Sequence, residues 1–428
     1  MQIVIAHSHL NPGGVTRIIE SQIESLPQNT TTVLVGNCSD PVTITQKGAK
    51  LTIFEPLNYL ENRFYPNGEA NQMLNEIFNF FKEFISTDSV LHFHNLNLGK
   101  NPLVTYAVYL LAKKGYKIFN HAHDFAEDRP ANYQFLKSII EGNFRADIDK
   151  VLYPEFPNYH YGVLNSFDYE RLISFGVSRE RILWLPNPVT FSISEDINDK
   201  TKSKSEICDA LQLDKSKLLV TYPVRVIQRK NIGELILLSE LFRDEVNFVV
   251  TQPPQNPLEV DLYQRWLKFC AAQKINLTFE AGTKVNFEKL LFGSDFCITT
   301  SYKEGFGMVY LEPWLLNTPV VGRDIEFISK DFKEDGFEFP ALYKHILIDE
   351  NGKDFKDLSI EEQMQEILNI KNDLKLKEKV IKQNPIFGFL FSEVSETLIK
   401  KNVSLIKNNY SLKGYGIKLQ ERYKILVG

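Results

Sequence analysis

The stretch of this sequence that decides the fold is Thr299-Thr300-Ser301-Tyr302-Lys303-Glu304-Gly305-Phe306-Gly307-Met308-Val309-Tyr310-Leu311-Glu312. The apolar run before it predicts a buried strand, and the apolar residues after Gly307 predict a helix. Glu304 then precedes that helix, and Glu312 lies about two turns into it. A Gly-Phe-Gly turn at the end of a strand lets backbone amides approach an anionic or hydroxyl-rich ligand, and carboxylates accept hydrogen bonds from sugar hydroxyls.

The rest of the chain alternates short apolar runs with amphipathic stretches, the pattern of βαβ units and parallel sheets. Seven strand-like runs form a first set: Ile3–Ala6, Thr32–Val35, Leu51–Phe54, Val90–Phe93, Lys117–Asn120, Val151–Tyr153 and Tyr161–Leu164. Six more form a second set: Leu218–Tyr222, Asn247–Val250, Leu277–Phe279, Phe296–Thr299, Val320–Val321 and His345–Ile348. These runs predict an α/β protein with two Rossmann-like open parallel sheets.

A break separates the two sets of strands. Pro186-Asn187-Pro188 predicts an extended segment, and the polar stretch from Ser194 to Ser205 lacks the apolar residues of a core element. We therefore expect a first domain over residues 1–194 and a second over residues 195–383. Residues 384–428 form a helical segment that we expect to pack back on the first domain.

Composition narrows the class of protein. The chain has 428 residues and a formal net charge of −5, from 49 Lys and Arg against 54 Asp and Glu. This balance excludes a strongly basic nucleic-acid binder. The four cysteines lie far apart without a CxxC pair, and no apolar run approaches the roughly 18 residues that a membrane span needs. Because Met1–Ala6 is also too short for the apolar region of a signal peptide, we expect a cytoplasmic protein with reduced thiols.

Two further strand ends carry residues suited to phosphate. Gly13 and Gly14 follow the first strand, where a helix beginning near Val15 offers free N–H groups to an anion; the alternative is a turn that needs glycine only for its geometry. Arg225 and Lys230 lie five residues apart across a strand-to-helix turn, and together they suit a diphosphate. The alternative for this pair is two solvated surface cations.

The span from Glu304 to Glu312 resembles the E-x7-E signature of retaining glycosyltransferases with the two-Rossmann GT-B fold, closest to glycosyltransferase family 4. Four other segments agree with that family in the right order: Gly13-Gly14, Leu185-Pro186-Asn187-Pro188-Val189, Arg225 with Lys230, and Thr318-Pro319-Val320-Val321. The resemblance covers nearly the whole chain. It implies two domains facing across a cleft, with the acceptor on the first and the nucleotide sugar on the second.

The resemblance also assigns roles to residues. Arg225 and Lys230 would hold the donor diphosphate, Glu312 would bind the ribose, and Glu304 would contact the transferred sugar. Backbone amides of the glycine turn would assist, and the glycine loop of the first domain would lie beside the phosphates; these donor-binding positions are Gly13, Gly14, Gly305, Phe306, Gly307 and Met308. Asn317 stands where the family often has glycine, and asparagine tolerates the left-handed conformation of a helix cap.

Six of the eight histidines fall in His-x-His pairs at the ends of first-domain strands: His7 and His9, His92 and His94, His121 and His123. Residues two apart on a strand face the same side, which suits metal ligands and makes a metal-dependent hydrolase an alternative. The favoured interpretation is a polar lining for sugar and acceptor, without a metal. By the resemblance, His123-Asp124 matches a family position where the histidine hydrogen-bonds the donor sugar or assists proton movement. His9, Asp124 and Arg129 are candidate acceptor contacts, and Arg129 suits an acidic group.

The resulting hypothesis is a retaining glycosyltransferase that moves a hexose from a nucleotide-diphosphate sugar to a hydroxyl acceptor, which is a sugar, a lipid or a small molecule. It would need no metal or other cofactor, because Arg225, Lys230 and the glycine-turn amides can stabilise the leaving diphosphate. Two alternatives share the fold and the anion site: a sugar phosphorylase and a nucleotide-sugar epimerase. A third is a protein that binds a nucleotide sugar without catalysis.

Overall fold

The computed structural model describes residues 2–191 and 197–428. These residues divide into two compact units, one formed by the chain up to Pro188 together with Tyr410–Gly428, and one formed by Val189–Asn409. Each unit is built on one parallel sheet, as expected. The expected boundary between residues 194 and 195 lies outside the described residues.

The sheet of the first unit has seven parallel strands in the order β3-β2-β1-β4-β5-β6-β7. Their bounds are β1 Ile3–His7, β2 Thr31–Val35, β3 Lys50–Ile53, β4 Val90–His94, β5 Lys117–Ala122, β6 Tyr159–Val163 and β7 Ile182–Trp184. The sheet of the second unit has six parallel strands in the order β10-β9-β8-β11-β12-β13. Their bounds are β8 Leu218–Arg225, β9 Val246–Gln252, β10 Leu277–Thr278, β11 Phe296–Thr299, β12 Val320–Arg323 and β13 Ala341–Tyr343.

Helices connect the strands in both units. The α-helices of the described residues are α1 Gly14–Ser25, α2 Pro41–Gln46, α3 Asn67–Phe84, α4 Pro102–Lys113, α5 Pro130–Lys137, α6 Ile148–Leu152, α7 Ser166–Ser174, α8 Lys200–Leu211, α9 Ile232–Leu241, α10 Pro257–Gln273, α11 Ala281–Lys284, α12 Phe287–Gly293, α13 Glu326–Glu334, α14 Ile360–Asn372, α15 Leu374–Gln383, α16 Glu396–Asn409 and α17 Leu412–Val427. In the part of the chain that is described, no helix is both long and apolar enough to cross a membrane.

Alternating side chains of β1 show how the first unit is layered. Ile3 and Ile5 lie in a core that contains residues of α1 and α17, whereas Val4 and Ala6 lie in the core that contains residues of α3 and α4. Successive residues of a strand point to opposite faces of its sheet, so both faces of this sheet are covered by helices. All five β1 residues are buried, which explains the continuous apolar run at the start of the sequence.

The C-terminal segment is divided between the two units, and this differs from the expectation that all of residues 384–428 pack on the first. Phe387 and Leu390 lie in the core of the second unit. Only the last part, with Tyr415 and Leu419 on α17, packs in the first unit. Two apolar groups of residues on one predicted tail therefore cover two different sheets.

Three local predictions are wrong. Val151–Tyr153 is not a strand, because Asp147 caps α6 by accepting hydrogen bonds from two backbone N–H groups, and Val151 lies inside that helix. The strand predicted at His345–Ile348 lies earlier, at β13. The polar stretch after Ser194 includes the first half of α8, which begins where the Asp199 side chain accepts a hydrogen bond from the Lys202 N–H.

Candidate functional site

Both sheets reverse their strand order at one point, and the predicted site residues follow the strands at these points. In the first unit the reversal lies between β1 and β4, and in the second between β8 and β11. Open parallel sheets bind ligands outside the carboxyl ends of their strands at such switch points. Gly13 and Gly14 follow β1, Arg225 and Lys230 end or follow β8, and Glu304 follows β11.

Glu304 is the centre of a partly buried ion-pair network in the second unit. One carboxylate oxygen accepts a hydrogen bond from Lys230 Nζ, and the other accepts one from Arg229 Nη1 at 2.7 Å. The side chains of Glu304 and Lys230 are only 9% and 12% exposed. Glu304 and Lys230 are both site residues predicted from the sequence, whereas Arg229, in the same turn as Lys230, is a further member that the structure adds. The structure thus brings two predicted residues that follow separate strands into direct contact.

The environment of Glu304 keeps its carboxyl group charged. Burial alone raises the pKa of Glu304, but the charges of Lys230 and Arg229 outweigh burial and lower that pKa to about 2. Burial lowers the pKa of Lys230, although Glu304 opposes this shift. A cation held in so little water interacts strongly with a nearby anion, because water screens it weakly.

A set of hydrogen bonds joins the turn after β8 to the segment after β11. The Tyr222 hydroxyl donates to the carbonyl of Lys230 at 3.1 Å and shares a 2.6 Å hydrogen bond with the Ser301 hydroxyl. The Thr300 hydroxyl also donates to the Lys230 carbonyl, at 3.0 Å. The backbone of Lys230 is therefore fixed from the neighbouring strand, which limits where its ammonium group can lie.

The glycine turn after Glu304 needs glycine at one position. Gly307 has a φ of 84°, and a Cβ atom there would lie 2.6 Å from Ile328 Cγ2. The Phe306 ring is buried and packs edge-on against Phe332, with 5.6 Å between ring centroids. The turn is thus held by a buried aromatic anchor next to a residue that must be glycine.

The helix predicted after this turn is wrong. The chain forms two short 3₁₀ turns instead, Met308–Tyr310 and Glu312–Leu316. Pro313 has no N–H to donate, which interrupts the hydrogen-bond ladder of an α-helix at this point. Glu312 therefore begins the second turn, with 7% of its surface exposed, and Asn317 ends that turn with a φ of 54°, the left-handed conformation expected for this cap.

Another ion network in the second unit is almost completely buried. The guanidinium of Arg323, at the end of β12, contacts the carboxylates of Glu234 and Asp354, and all three side chains are almost completely buried. The Tyr343 hydroxyl donates to Glu234 at 2.9 Å. A cavity of about 370 Å³ lies beside this network. One of its lining residues is Asn231, which directly follows Lys230 in the turn after β8. Sequence patterns gave no sign of the network, since its members lie on separate elements.

In the first unit, the glycine loop has open space around it. A Cβ atom at Gly14 would meet nothing within 4 Å, and one at Gly13 would come no nearer than 3.7 Å to another residue. α1 begins at Gly14, close to the predicted start. This loop thus combines a helix N-terminus with an uncrowded backbone, as a binding role for the loop requires.

Five of the six paired histidines form one buried cluster beside this loop: His7, His92, His94, His121 and His123. Burial lowers the pKa of every member, to about 3 for His7 and His123. All five are therefore neutral at physiological pH. His92, His94 and His121 offer nitrogen atoms within 4.8 Å of one another, which is close enough for all three to bind one metal ion.

The three candidate acceptor residues of the first unit lie around a tyrosine that the sequence analysis missed. The ring of Tyr59 packs edge-on against His9, with 4.9 Å between centroids. Burial first, and then the charge of Asp124, raise the pKa of Tyr59 to about 12. Arg129 donates to Asp124 at 2.7 Å. The loop at Asp124 is held by Asn95, whose side-chain oxygen accepts hydrogen bonds from the backbone N–H groups of His123 and Asp124.

Comparison with curated proteins finds two related sequences from the bacterium Petrotoga mobilis. The chain is 27% identical to mannosylglucosyl-3-phosphoglycerate synthase over 384 residues, which are 86% of this chain and 72% of that protein. It is 26% identical to mannosylglucosylglycerate synthase over 312 residues, covering 65% of this chain and 69% of that protein. No protein-family model matches the chain.

Solved structures share the fold over nearly the whole chain. Anabaena Alr3699/HepE in complex with UDP-glucose superposes with a TM-score of 0.64 at 13% identity, covering 98% of both chains. A glycosyltransferase from Rickettsia africae gives 0.62 at 12% identity, covering 99% of this chain and 98% of that one, and a sucrose-phosphate synthase from Thermosynechococcus elongatus gives 0.58 at 14%, covering 99% and 98%. The chain has the GT-B fold, and the sequence and fold comparisons agree on one class of protein, the GT-B glycosyltransferases.

Proposed function

We propose that this chain is a retaining glycosyltransferase of the family-4 type, which moves a hexose from a nucleotide-diphosphate sugar to a hydroxyl acceptor without a metal ion. The observation that carries the proposal is the partly buried contact between Lys230 and Glu304 at the switch point of the second sheet. Both ends of the E-x7-E span are shielded from water there, since Glu304 and Glu312 are each less than a tenth exposed.

The proposed reaction needs cations beside the leaving diphosphate. When the bond between the sugar carbon and the diphosphate breaks, negative charge develops on the phosphate oxygens, and a fixed buried cation stabilises it without needing to reorganise. Lys230 would supply such a charge, and Arg225 at the end of β8 would supply a second. In a retaining front-face reaction the acceptor hydroxyl attacks the side from which the diphosphate leaves, and the leaving phosphate takes the hydroxyl proton.

Glu304 would have two tasks in this scheme. Before the donor binds, its carboxylate holds Lys230 and Arg229 in place. With the donor bound, the phosphate oxygens would compete for those cations, and the carboxylate would be released to accept hydrogen bonds from the sugar hydroxyls. Glu312 would bind the ribose hydroxyls in the same way.

The two Petrotoga relatives suggest a donor sugar and an acceptor class. Their names describe synthases of mannosylated glucosylglycerates, one of them carrying a 3-phosphate. We therefore propose mannose as the transferred hexose and an acidic glucosylglycerate as the acceptor. We assign Arg129, a cation of the first unit, to the acid group of the acceptor. Arg129 would contact the acceptor and not the donor.

The direct test replaces Lys230 with alanine. We expect Lys230→Ala and Arg225→Ala each to lower turnover by about 10²–10³, the usual loss when one preorganised charge donor is removed. The assay follows product mass after incubation of nucleotide-diphosphate hexoses with glucosylglycerate and its phosphorylated form. Lys215→Ala is the matched control, because Lys215 is an exposed lysine of the same unit that pairs with the exposed Asp209. Wild-type turnover in Lys230→Ala would contradict the assignment of the diphosphate site.

The same assay separates this proposal from the two alternatives that share the fold. Product that forms only with inorganic phosphate would indicate a phosphorylase, and product that forms without an acceptor would indicate an epimerase. Activity that persists in excess chelator supports the metal-free reaction, and activity that a chelator abolishes contradicts it.

A further inference from the structure

One glutamine side chain joins the buried histidines of the first unit. Gln22, on α1, is completely buried between His92 and His94. Its amide nitrogen lies 2.9 Å from His92 Nδ1 and donates to the Tyr423 hydroxyl at 2.8 Å, and its amide oxygen lies 2.9 Å from His94 Nε2. An amide nitrogen only donates and an amide oxygen only accepts, so each contact decides which histidine nitrogen carries a proton.

The first branch runs from Gln22 through His92 to His121. Because His92 Nδ1 faces a donor, it is unprotonated, and the proton of this neutral ring is on Nε2. His92 Nε2 then donates to His121 Nδ1, 3.2 Å away. The His121 proton is therefore on Nε2, a buried nitrogen without a hydrogen-bond partner among the described residues.

The second branch runs from Gln22 through His94 to His123. Because His94 Nε2 faces the amide oxygen, it carries the proton, and His94 Nδ1 is an acceptor. It accepts from His123 Nε2, 2.8 Å away. This leaves Nδ1 of His123 unprotonated. The Tyr423 hydroxyl also contacts His92 Nδ1, at 2.5 Å, so the first branch has a second orienting group. In the second branch Gln22 is the residue that faces His94 Nε2, and a half-turn of its amide would reverse the proton positions of His94 and His123.

We infer that Gln22 is a positioning residue, which acts through His94 to hold His123 in the tautomer whose Nδ1 can accept a hydrogen bond from a substrate hydroxyl. The role of His123 toward substrate rests on the proposed function, whereas the tautomer itself does not. The same contacts argue against a metal at His92, His94 and His121. Five of their six ring nitrogens already face Gln22 or another histidine in donor–acceptor pairs. The sixth, His121 Nε2, carries a proton in this network, so none of the three rings offers the free lone pair that a metal needs.

The test reads the tautomers directly, by NMR of the full chain labelled with ¹⁵N in its histidine rings. At neutral pH we expect His123 to carry its proton on Nε2, with its signal identified by loss in His123→Asn. In Gln22→Met, which keeps the side-chain length but offers no amide, we expect His123 to show a mixture of both tautomers. Tyr423→Phe is the matched control, since it removes a buried hydroxyl from the same cluster but leaves Gln22 facing both histidines.

Kinetics supply the second readout. We expect Gln22→Met to lower kcat by about 10–100-fold, the range seen when an orienting partner is lost, with little change in KM, and Tyr423→Phe to keep most of the activity. The inference would be overturned by a wild-type His123 protonated on Nδ1 or on both nitrogens, or by an unchanged His123 spectrum in Gln22→Met. Stoichiometric zinc, nickel or copper in the purified protein, lost in His92→Asn, would also overturn it. Should Gln22→Met fail to fold, the wild-type and Tyr423→Phe spectra still decide the tautomer.

Discussion

At the scale of single residues, the second unit contains two networks of charged side chains that have different roles. Lys230 and Glu304 follow the carboxyl ends of β8 and β11, where we propose that an anionic ligand exchanges for the carboxylate. Arg323, Glu234 and Asp354 are almost completely buried and pair with one another. Both networks join elements that are distant in the sequence, but only the first includes residues that precede a glycine turn.

Removing the Arg323 charge should destabilise the protein. Arg323→Leu leaves two carboxylates buried without their cation, and breaking a buried pair in this way costs about 3–5 kcal/mol. Urea unfolding of the wild type and the variant measures the difference. The control, Lys330→Ala, removes an exposed lysine that pairs with Glu334 one helical turn away and should change stability by less than about 0.5 kcal/mol. Equal effects of the two substitutions would contradict the structural role of Arg323.

At the scale of elements, α17 is the C-terminal helix that covers one face of the sheet in the first unit. It packs against α1 and also supplies Tyr423 to the histidine cluster. The close approach of the two helices depends on Gly416, because a Cβ atom there would lie 2.4 Å from the backbone carbonyl oxygen of Ser25. A single glycine therefore sets how near α17 can come to the end of α1.

Gly416→Ala should push the two helices apart. We expect overpacking to lower the free energy of unfolding by about 1–3 kcal/mol. The higher helix propensity of alanine raises it by roughly 1 kcal/mol, so the net effect should be destabilising. The matched control is Gly68→Ala on α3, where nothing lies within 4 Å of the added carbon. That variant should be neutral or slightly more stable in urea unfolding. A Gly416→Ala protein as stable as Gly68→Ala would show that the contact is not tight.

At the scale of the whole molecule, the two units should respond differently to acid. The five clustered histidines have folded-state pKa values far below the 6.5 of an unfolded chain. Above pH 6.5 these histidines are neutral in both the folded and the unfolded chain, so they do not change the free energy of unfolding with pH. Below pH 6.5 the unfolded chain takes up protons that the folded chain does not, so the free energy of unfolding falls as the pH drops toward about 3. Each histidine costs about 1.4 kcal/mol per pH unit in that window, so five cost about 7 kcal/mol per unit.

A domain stability of about 5–15 kcal/mol would then be lost within one to two pH units below 6.5. We expect the first unit to unfold near pH 5. The second unit should persist, because the Glu304 carboxyl, with its pKa of about 2, loses its contribution only as the pH falls from about 4.5 toward 2. Hydrogen exchange read by mass spectrometry, corrected for the intrinsic effect of pH, compares peptides of the two units. Equal protection of first-unit peptides at pH 7.5 and pH 5 would contradict the prediction.

The sequence by itself determined the two parallel sheets and most of their strands, because buried parallel strands are continuous apolar runs and the segments between them are long enough for helices. It also identified the residues after the strands, since a glycine turn and charged residues at a strand end are local features. It misplaced the helix after Gly307, because the effect of Pro313 competes with an apolar pattern that favours a helix.

Only the tertiary structure decided which residues meet. The pairing of Glu304 with Lys230 joins positions 74 residues apart, and the contact of Tyr423 with His92 joins positions 331 residues apart. No local pattern encodes such contacts, because they depend on strand order and on the packing of helices onto the sheets. The same holds for Gln22: a polar residue on an amphipathic helix gave no sign in the sequence that it lies buried between two histidines and sets their protons.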